Sequence, residues 1–554
     1  MFFLWLLATA LAQAADDPLM SVLDAELERT MAGWEGRDGA PYFVGYRAVD
    51  QVSYTIRARG GALADSSQQS SRSLDVQARV GSPALDSTHP IRSDGFSSRN
   101  FYRGVALPLG GDPLALETTI WAHTTDSIRK AQQAFSEVQA SQRVRVEEED
   151  TSGDFSAAAV VSDIRPQAAL ALDVPGWEAA LVELSVALDA HEHIYRSEAT
   201  LHAEQQDRYI LTSEGTRIRQ PRTWVRVSLQ AQTRAEDGMD LQLYRWVDVP
   251  QPDALPDTAE LTDWAQAVAR DVVAMRAAPK QAPYSGPVLL RGAAAGVFVH
   301  EVLGHRVEGH RQKREHEGQT FKDLVGTMLL PPEISIVDDP TLAEYAGMPL
   351  NGHYAYDEEG VAAQPAVLVE DGVFQGFLMS RLPITAANES NGHGRAADSL
   401  QPVARMANTI LSTSAPRSEA QLRRMLIAEA KASGQEWGLL VEDLAGGFTM
   451  TGRVMPNAYN IRAVTARRVY VDGRPDELVR GIDLVGTPLV ALQNVVAAGD
   501  DPAVFNGFCG AESGSVPNAA VSPSLLLRSQ ELQRKEKGSQ RPPLLPKPVP
   551  GGDS

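Results

Sequence analysis

Residues 286–305 read GPVLLRGAAAGVFVHEVLGH. The apolar start of this stretch predicts a buried strand, and the small residues after it predict a turn followed by the start of a helix. Such a setting places the final residues, His300, Glu301 and His305, in the interior of a domain. Imidazole nitrogen is a common zinc ligand, and a Glu beside the first His is the usual general base of helical zinc proteases. The stretch therefore predicts a zinc site with Glu301 as catalytic base.

The spacing of the two histidines departs from the common zinc-protease helix, in which they are four residues apart. Here His305 follows His300 by five positions. On a regular helix this separates the side chains by about 140°, too far for one metal ion. A bulge or a helix end must absorb the extra residue, and we expect this at Gly304, where distortion of the backbone costs least. The alternative is a pair of surface histidines near a helix end.

Cys509 is the only cysteine among the 554 residues. A catalytic zinc site uses three protein ligands and leaves one position for water, so this thiolate completes a set with the two histidines. Two other interpretations stay open. Free cysteine is often a small buried hydrophobe. A cysteine protease with Cys509 as nucleophile is the third interpretation, although the flanking Gly507-Phe508-Cys509-Gly510 carries no known nucleophile signature.

Composition and charge limit the class of protein. A hydrophobic content of 43% and the chain length predict a globular protein with two or more domains. The net charge of −20 argues against binding to nucleic acid, which needs a basic face.

The first fifteen residues predict a signal peptide. Phe2–Leu11 is apolar but too short to span a bilayer, and Ala12-Gln13-Ala14 offers a cleavage site. The positive charge usual at the start of such a segment is missing, and a buried N-terminal helix is the alternative. No later stretch reaches the ~18 apolar residues of a membrane helix. We expect a periplasmic or secreted protein with no membrane span.

Patterns along the chain predict an α+β fold with two domains. Residues 16–280 are expected to form an N-terminal antiparallel sheet with helices, with Leu181–Leu188 as one of its strands. Residues 281–534 are expected to form a strand-rich metallopeptidase domain that carries the metal-site helix. An amphipathic helix is predicted after Ser418, its N-cap. The Pro- and Lys-rich residues 535–554 predict a disordered tail.

Four other histidines are candidate metal ligands. His191 and His193 alternate in a strand-like stretch but have no third ligand nearby, which favours a solvated strand end. His310 and His316 follow the motif closely. They are better explained as surface residues or as groups that support the ligands.

Residues 286–309 resemble the metal-site signature of the TldD/PmbA family of metalloproteases. Later segments are similar to that family in the same order: Val337-Asp-Asp-Pro, Asp357-Glu-Glu-Gly360, Gly392-His-Gly-Arg395, Arg405-Met-Ala-Asn408 and Gly507-Phe-Cys-Gly510. The resemblance implies two α+β domains, Zn²⁺ bound by His300, His305 and Cys509, and Glu301 as the base. It also implies hydrolysis of short or unfolded peptides in a chamber enclosed by a homodimer or by a heterodimer with a family paralogue.

The family contains a partner subclass without the metal motif, and this chain resembles the active, motif-bearing subclass. A catalytically silent peptide-binding or scaffold subunit with a structural metal is the second hypothesis. Arg405 and Asn408 are candidate substrate contacts, which the sequence alone does not assign. Ala366–Val369 and Phe374–Met379 are strand-like, and we expect an edge strand there to pair with an extended substrate.

Overall fold

The structure, a computed structural model, describes residues 17–91, 104–110, 112–142, 150–314, 316–453 and 458–534. The expected signal peptide, residues 1–15, and the expected tail, residues 535–554, lie outside the described residues. The described chain is a mixed α+β structure in which a sheet covered by helices precedes a strand-rich half. The predicted fold class is therefore confirmed.

An eight-stranded sheet forms the N-terminal half. Its main path, in sheet order, is Leu85–Asp86, Ala62–Ser82, Pro41–Arg59, Ile194–Thr212, Arg217–Arg234 and Ser162–Ile164. Val105–Ala106 pairs with the second of these strands, and Asp240–Val249 pairs with the fifth. The long strands pair antiparallel, as expected.

Four helices cover one face of this sheet: Pro18–Trp34, Pro113–Gln142, Val174–Leu188 and Thr258–Ala277. Side chains alternate along a strand, so one set of alternating residues faces the helices, and members of it such as Val44 and Ile56 are buried. Three of the helices begin after an Asp (Asp17, Asp173 or Asp257) whose carboxylate accepts hydrogen bonds from amides of the first turn.

The prediction of a strand at Leu181–Leu188 is wrong, because these residues form the second half of the helix Val174–Leu188. Asp173 caps this helix, and a proline lies in its first turn, where the missing N–H costs nothing. The buried positions Leu181, Leu184, Ser185 and Leu188 follow the helical spacing of three and four residues. The short alternation read as a strand is part of that longer helical pattern.

A closed barrel, built from the beginning and the end of the C-terminal half, forms one part of that half. Its sheet contains Trp437–Thr449, Tyr284–Leu290, Leu525–Arg534, Ile482–Gly486, Tyr459–Tyr470 and Glu477–Val479, with Val495–Ala498 paired to the third. The pairing of the first strand with the fifth closes the sheet on itself. The helix Glu419–Ala432 packs outside, with the predicted N-cap Ser418 in a capping box with Gln421.

A six-stranded sheet lies beside the barrel. Its order is Val373–Phe374, Ala366–Glu370, Ile334–Asp338, Asn408–Thr413, Gly514–Ser522 and Ala503–Ala511. Two short pairs complete the described strands: Glu344–Tyr345 with Met348–Pro349, and Gly394–Arg395 with Val403–Ala404. The other described helices are Gly292–Val302, His310–Lys313 and Pro488–Gln493, with 3₁₀ turns at Pro252–Ala254 and Gly304–Arg306.

The expectation of an edge strand near residues 366–379 is met by the two-residue strand Val373–Phe374, which is the last strand on one side of the sheet. Ala366–Glu370 has a neighbour on each side, and only Val373–Phe374 of the following run is a strand. The last strand on the opposite side of the described sheet is Ala503–Ala511, which carries Cys509. Edge position depends on the order of the whole sheet, which a local apolar pattern does not contain.

The helix Gly292–Val302 lies between the barrel and the six-stranded sheet, where it packs on Trp437–Thr449 on one side and on Ala503–Ser522 on the other. Gly296 lies so close to Ala520 that a Cβ would be 3.1 Å from its carbonyl oxygen. The small residues expected to form a turn belong to this helix. Their size permits the close packing.

The uncovered face of the N-terminal sheet meets the C-terminal half. Arg381, which is fully buried, donates hydrogen bonds to both carboxylate oxygens of Glu214 at 2.7 and 2.8 Å. Arg47 donates to the carbonyl oxygens of Ala397 and Leu400. An ion pair and hydrogen bonds to backbone carbonyl oxygens thus join the two halves. No described helix is long and apolar enough to cross a membrane.

Candidate metal centre

The motif helix ends before its second histidine. Helical structure runs to Val302, and a 3₁₀ turn at Gly304–Arg306 follows. This break absorbs the extra residue between the histidines at the predicted place. Gly304 is required for a different reason than expected, because its φ is not positive. A Cβ there would lie 1.9 Å from Sδ of the buried Met406, so the glycine permits close packing.

Three side chains with metal-ligand atoms converge at this break. One ligand atom from each of His300, His305 and Cys509 lies within 4.8 Å of the others. Cys509 Sγ is 3.4 Å from His305 Nε2, and the two imidazole rings are 5.0 Å apart and almost perpendicular. All three residues are buried. Cys509 arrives from the edge strand Ala503–Ala511, about 200 residues along the chain.

The charges of these groups favour a thiolate. Burial by itself would raise the pKa of Cys509, but His305 and His300 outweigh it and hold that pKa well below its ordinary value. Burial would lower the pKa of His305, but Cys509 and Glu308 raise it well above the usual range. Two imidazoles and one thiolate within reach of one another suit a borderline-soft metal such as zinc. The residues present therefore fit a metal ion.

Glu301 lies beside the ligands without belonging to their group. Its side chain is 5% exposed, and its Oε2 has no hydrogen-bond partner among the described residues. Gly447, on the barrel strand Trp437–Thr449, approaches so closely that a Cβ would be 3.1 Å from Glu301 Cγ. An unpaired buried carboxylate oxygen is costly, and a proton-transfer role or a water molecule would account for it.

Two residues that the sequence patterns did not predict orient the ligands. Asn518 contacts His300 Nδ1 at 3.1 Å, and Glu308 Oε1 is 3.2 Å from His305 Nδ1. Both contacts leave Nε2 to face the thiolate side, which is the usual arrangement of metal-bound histidine. Glu308 had a visible signal, since it follows His305 by one helical turn. Asn518 had none, because the sheet brings it to the helix from far along the chain.

Arg405 contacts the backbone of one candidate ligand, Cys509, and the carboxylate that orients another. It is fully buried and donates to the Cys509 carbonyl oxygen at 2.6 Å and to Ser513 Oγ at 2.8 Å. Its Nε is 3.2 Å from Glu308 Oε1, and Arg311 also pairs with Glu308 at 2.8 Å. Burial would raise the pKa of Glu308, but His305 and Arg311 lower it to about 2. Arg405 therefore holds the strand of Cys509 and adds to the positive charge around Glu308.

The remaining candidates lie outside the ligand group. Asn408 is fully buried and donates to the carbonyl oxygens of Asp339 and Leu342, so it supports a loop. His310 is buried against Glu512, with Nε2 and Oε1 2.5 Å apart. His316 is exposed. The candidates His191 and His193 are exposed as well, just before the strand Ile194–Thr212.

One strand of the N-terminal sheet, Asp240–Val249, contacts two strands beside the site, the barrel strand Trp437–Thr449 and the edge strand Ala503–Ala511. Tyr244 donates a hydrogen bond to the Ala445 carbonyl oxygen on the barrel strand at 3.1 Å. Trp246 donates to the Asn506 carbonyl oxygen on the edge strand at 3.0 Å. The two rings are stacked 5.2 Å apart. We call Tyr244 and Trp246 the strut, because together they fix the barrel strand relative to the strand of Cys509.

Comparison with known proteins identifies relatives of both halves. The C-terminal domain model of the PmbA/TldA metallopeptidases matches residues 283–534, and their central domain model matches residues 161–276. A metalloprotease of Archaeoglobus fulgidus is 32% identical over 256 residues, which are 45% of this chain and 53% of that protein. A metalloprotease of Methanothermobacter thermautotrophicus is 30% identical over 241 residues, 42% of this chain and 47% of that protein. The chain thus matches about half the length of these curated relatives.

Solved structures share the whole fold. TldE from Thermococcus kodakarensis is 13% identical with a TM-score of 0.59, over 92% of this chain and 99% of that chain. A Thermotoga maritima protein, described as a candidate modulator of a DNA gyrase, is 14% identical with a TM-score of 0.60, over 92% of this chain and 100% of that chain. At such low identity the likeness shows the fold alone.

Proposed function

Because this chain belongs to the TldD/PmbA family of metallopeptidases, we propose that it is a zinc-dependent peptidase that hydrolyses short or unfolded peptides. The observation that carries the proposal is the convergence of His300, His305 and Cys509 beside a buried carboxylate, Glu301. Two nitrogens and one thiolate are a catalytic zinc set that leaves a position for water.

Each residue of the site has a distinct role in this proposal. His300, His305 and Cys509 would hold the zinc ion, which when bound polarises the scissile carbonyl and makes water more acidic. Glu301 moves the proton: its unpartnered Oε2 accepts a proton from the attacking water and returns it to the leaving amine nitrogen. Because Gly447 has no side chain, the barrel strand can lie against Glu301 without displacing it.

The residues around the ligands supply orientation. The structure places the amide nitrogen of Asn518 3.1 Å from His300 Nδ1. Ligation through Nε2 requires Nδ1 to carry the proton, so in the metal-bound protein the Asn518 amide would be turned to present its oxygen. The Glu308 carboxylate, 3.2 Å away, would accept a hydrogen bond from the Nδ1–H of His305. The positive charges of Arg311 and Arg405 favour the ionised form of Glu308. The rings are thereby fixed before any metal or substrate binds.

The position of Ala503–Ala511 at the edge of its sheet supports the proposal that the substrate is an extended peptide. An edge strand offers backbone groups on one side, and a peptide that pairs with it needs no defined sequence. The same strand carries Cys509, so a peptide paired there would lie next to the metal ligands. Such pairing needs an unfolded segment, which supports peptides or denatured chains as substrates.

We also propose export and a dimeric enclosure. Export is motivated by the apolar run and the Ala12-Gln13-Ala14 pattern, and the enclosure by the family resemblance. N-terminal sequencing of protein from its native host checks the first, with mature protein expected to lack residues 1 to about 14. An intact Met1 in a cytosolic fraction would exclude export. Mass measurement in solution, with and without a family paralogue, checks the second.

One experiment separates the peptidase from a silent scaffold subunit. Purified protein of known zinc content is offered one substrate protein in folded and denatured form, with chelator controls. We expect chelator-sensitive cleavage of the denatured form alone. Glu301→Gln is expected to keep its zinc and to lose about 10²- to 10⁴-fold in rate. Glu442→Gln, at a half-buried position paired with Arg467, is the matched control and is expected to keep full activity.

Four outcomes would contradict parts of this proposal. Undiminished turnover by Glu301→Gln would exclude Glu301 as the base, and loss of zinc from that variant would make it a ligand. Absence of cleavage by the fully zinc-loaded wild type would favour the scaffold hypothesis. Equal cleavage of folded and denatured protein would show a site open to globular surfaces and exclude an enclosed chamber.

A further inference from the structure

The three candidate metal ligands are buried, so a metal ion needs an opening to reach them. His300, His305 and Cys509 are 8%, 7% and 5% exposed. A metal site is complete only with a path by which the ion enters. His300 lies on a helix that is packed on both sides, and His305 follows it in a turn whose Gly304 lies against the buried Met406. Cys509 comes from a different segment of the chain, and its support differs.

Cys509 lies in the outer half of a hairpin that has few contacts with other strands. The edge strand Ala503–Ala511 and the strand Gly514–Ser522 form this hairpin. The second of them pairs with its parallel neighbour only at residues 519–521. Residues 509–516, which we call the hairpin tip, therefore have no neighbouring strand other than each other in the part of the chain that the structure describes.

Two sets of contacts outside the strands hold the hairpin tip. The first comes from Arg405, which is fully buried and donates hydrogen bonds to the Cys509 carbonyl oxygen and to Ser513. The backbone amide of Ala397 adds a hydrogen bond of 2.8 Å to the Ser513 carbonyl oxygen. The second set is formed by a single side chain, Glu512, at the turn of the hairpin.

The Glu512 carboxylate contacts three side chains of one segment, residues 310–314. Its Oε1 atom lies 2.5 Å from His310 Nε2 and 3.1 Å from Arg314 Nη1, and its Oε2 atom lies 2.9 Å from Arg311 Nη2. Burial would raise the pKa of Glu512, but these three groups hold it well below its ordinary value. Hydrogen bonds to ionised groups are roughly twice as strong as those between neutral groups. We call these contacts of Glu512 the latch.

The latch is joined to candidate metal ligands at both ends. Glu512 follows Cys509 by three residues on the same hairpin. Its partner Arg311 also donates a hydrogen bond of 2.8 Å to Glu308, the carboxylate beside His305. The side chain of Glu512 is 30% exposed and that of Arg311 is 8% exposed. The latch thus connects the ligand on the hairpin to a ligand on the motif segment, and it lies at the boundary with solvent.

We propose that Glu512 is a positioning residue that keeps Cys509 beside the two histidines, and that release of the latch exposes Cys509 and sets the rate at which zinc enters and leaves. The inference rests on the proposed zinc site and adds how that site opens and closes. When the latch is released, the hairpin tip can move without breaking any pairing to a third strand among the described residues. The thiolate then leaves the group of ligands, while both histidines stay on the motif segment.

The first test follows the release of zinc from the zinc-loaded full chain into an excess of a chromophoric chelator. Glu512→Gln, which keeps the size of the side chain but not its charge, is expected to release zinc about 10-fold or more faster than the wild type, because hydrogen bonds to a charged group are lost. Glu512→Asp is expected to lie between the two. Glu429→Gln is the matched control, since Glu429 is 29% exposed and pairs with Arg528 on the outside of the barrel.

Salt dependence gives a readout that a purely structural role would not move. The pair of Glu512 and Arg314 is partly exposed, with side chains 30% and 27% exposed, so added salt screens it. We expect added salt to accelerate zinc release from the wild type and to have much less effect on Glu512→Gln. Arg314→Gln, which removes only this exposed partner, is expected to accelerate release less than Glu512→Gln does.

The second test needs neither zinc nor activity. Cys509 is the only thiol of the chain, so alkylation of chelator-treated protein by iodoacetamide, followed by mass spectrometry, reports its exposure. We expect the folded wild type to react far more slowly than unfolded protein, and Glu512→Gln to react about 10-fold or more faster than the wild type. Low concentrations of urea are expected to change these rates little, because opening of the hairpin tip exposes little surface.

The results that would overturn this inference differ from those that would refute the zinc site. Equal rates of zinc release and of alkylation in Glu512→Gln and the wild type would overturn it. So would alkylation that rises with urea as steeply as global unfolding, because Cys509 would then be reached only when the whole protein unfolds. If the wild type binds no zinc, the proposed function fails, whereas the alkylation rates still decide whether Glu512 positions Cys509.

Discussion

Replacement of Gly304 by Ala tests how the chain fits five-residue histidine spacing around one metal ion. A Cβ at this position would lie 1.9 Å from Met406 Sδ and 2.8 Å from Met406 Cε. Ordinary contacts between such atoms are about 3.5–4.0 Å, so Met406 or the 3₁₀ turn must move by roughly 1.5 Å or more. Met406 is fully buried, which leaves its side chain little room. Overpacking of this kind costs about 1–3 kcal/mol.

We therefore expect Gly304→Ala to lower the free energy of unfolding by about 1–3 kcal/mol, measured by urea denaturation in chelator. Zinc affinity, measured by competition with a chromophoric chelator, is expected to fall as well, because His305 directly follows the displaced residue. Gly376→Ala is the matched control, since its Cβ would meet nothing within 4 Å.

The variant Met406→Ala tests whether the close packing between Gly304 and Met406 causes these effects. Alone it is expected to cost about 2–5 kcal/mol through the cavity it leaves. In the double variant with Gly304→Ala, the new methyl group occupies part of that cavity, so the combined cost is expected to be smaller than the sum. Additive costs, or a Gly304→Ala variant with unchanged stability and zinc affinity, would show that close packing at Gly304 does not position His305.

Three further predictions address the ligands and one partly buried acid, Asp443. Cys509→Ala is expected to lose most of its zinc by elemental analysis, and full occupancy would exclude the three-ligand set. Asn518→Ala is expected to weaken zinc binding about 10- to 100-fold, measured by chelator competition, because His300 loses the group that orients its ring. Burial raises the pKa of Asp443 to about 6, so the folded state binds this proton more tightly than the unfolded chain. The resulting stability is present below about pH 4 and lost as the pH rises through about 6. Asp443→Asn, which stays neutral, is therefore expected to raise the free energy of unfolding at pH 7 by up to about 3 kcal/mol and to change nothing at pH 4; equal effects at both pH values would refute the assignment.

Local patterns predicted the parts of this protein that local interactions determine. The break of the motif helix before His305 followed from the angle between residues five apart, and the capped helix after Ser418 followed from its own side chains. Residues 181–188 alone have a strand-like pattern because the cap at Asp173 and the first half of the helix Val174–Leu188 lie outside that stretch. A longer window shows the helical period.

The support of the site could not be predicted, because it depends on contacts between distant segments. Asn518 reaches His300 only through the parallel and antiparallel pairing of the six-stranded sheet. The edge position of Ala503–Ala511 is likewise a property of strand order. Position 304 needs glycine because Met406, about one hundred residues later, packs against it, and not because of its backbone angle φ. Sequence distance hides all three relationships.

The strut has a mechanical consequence. Tyr244 and Trp246 are two residues apart on one strand, about 7 Å along its axis. Tyr244 is bonded to the barrel strand and Trp246 to the strand of Cys509. A rigid displacement of the strand Asp240–Val249 would therefore move both of these strands together. A load applied to the distant part of the N-terminal sheet would therefore reach both the barrel strand beside Glu301 and the strand that carries Cys509. The N-terminal half is in this way mechanically coupled to the base and to a metal ligand, although it supplies neither.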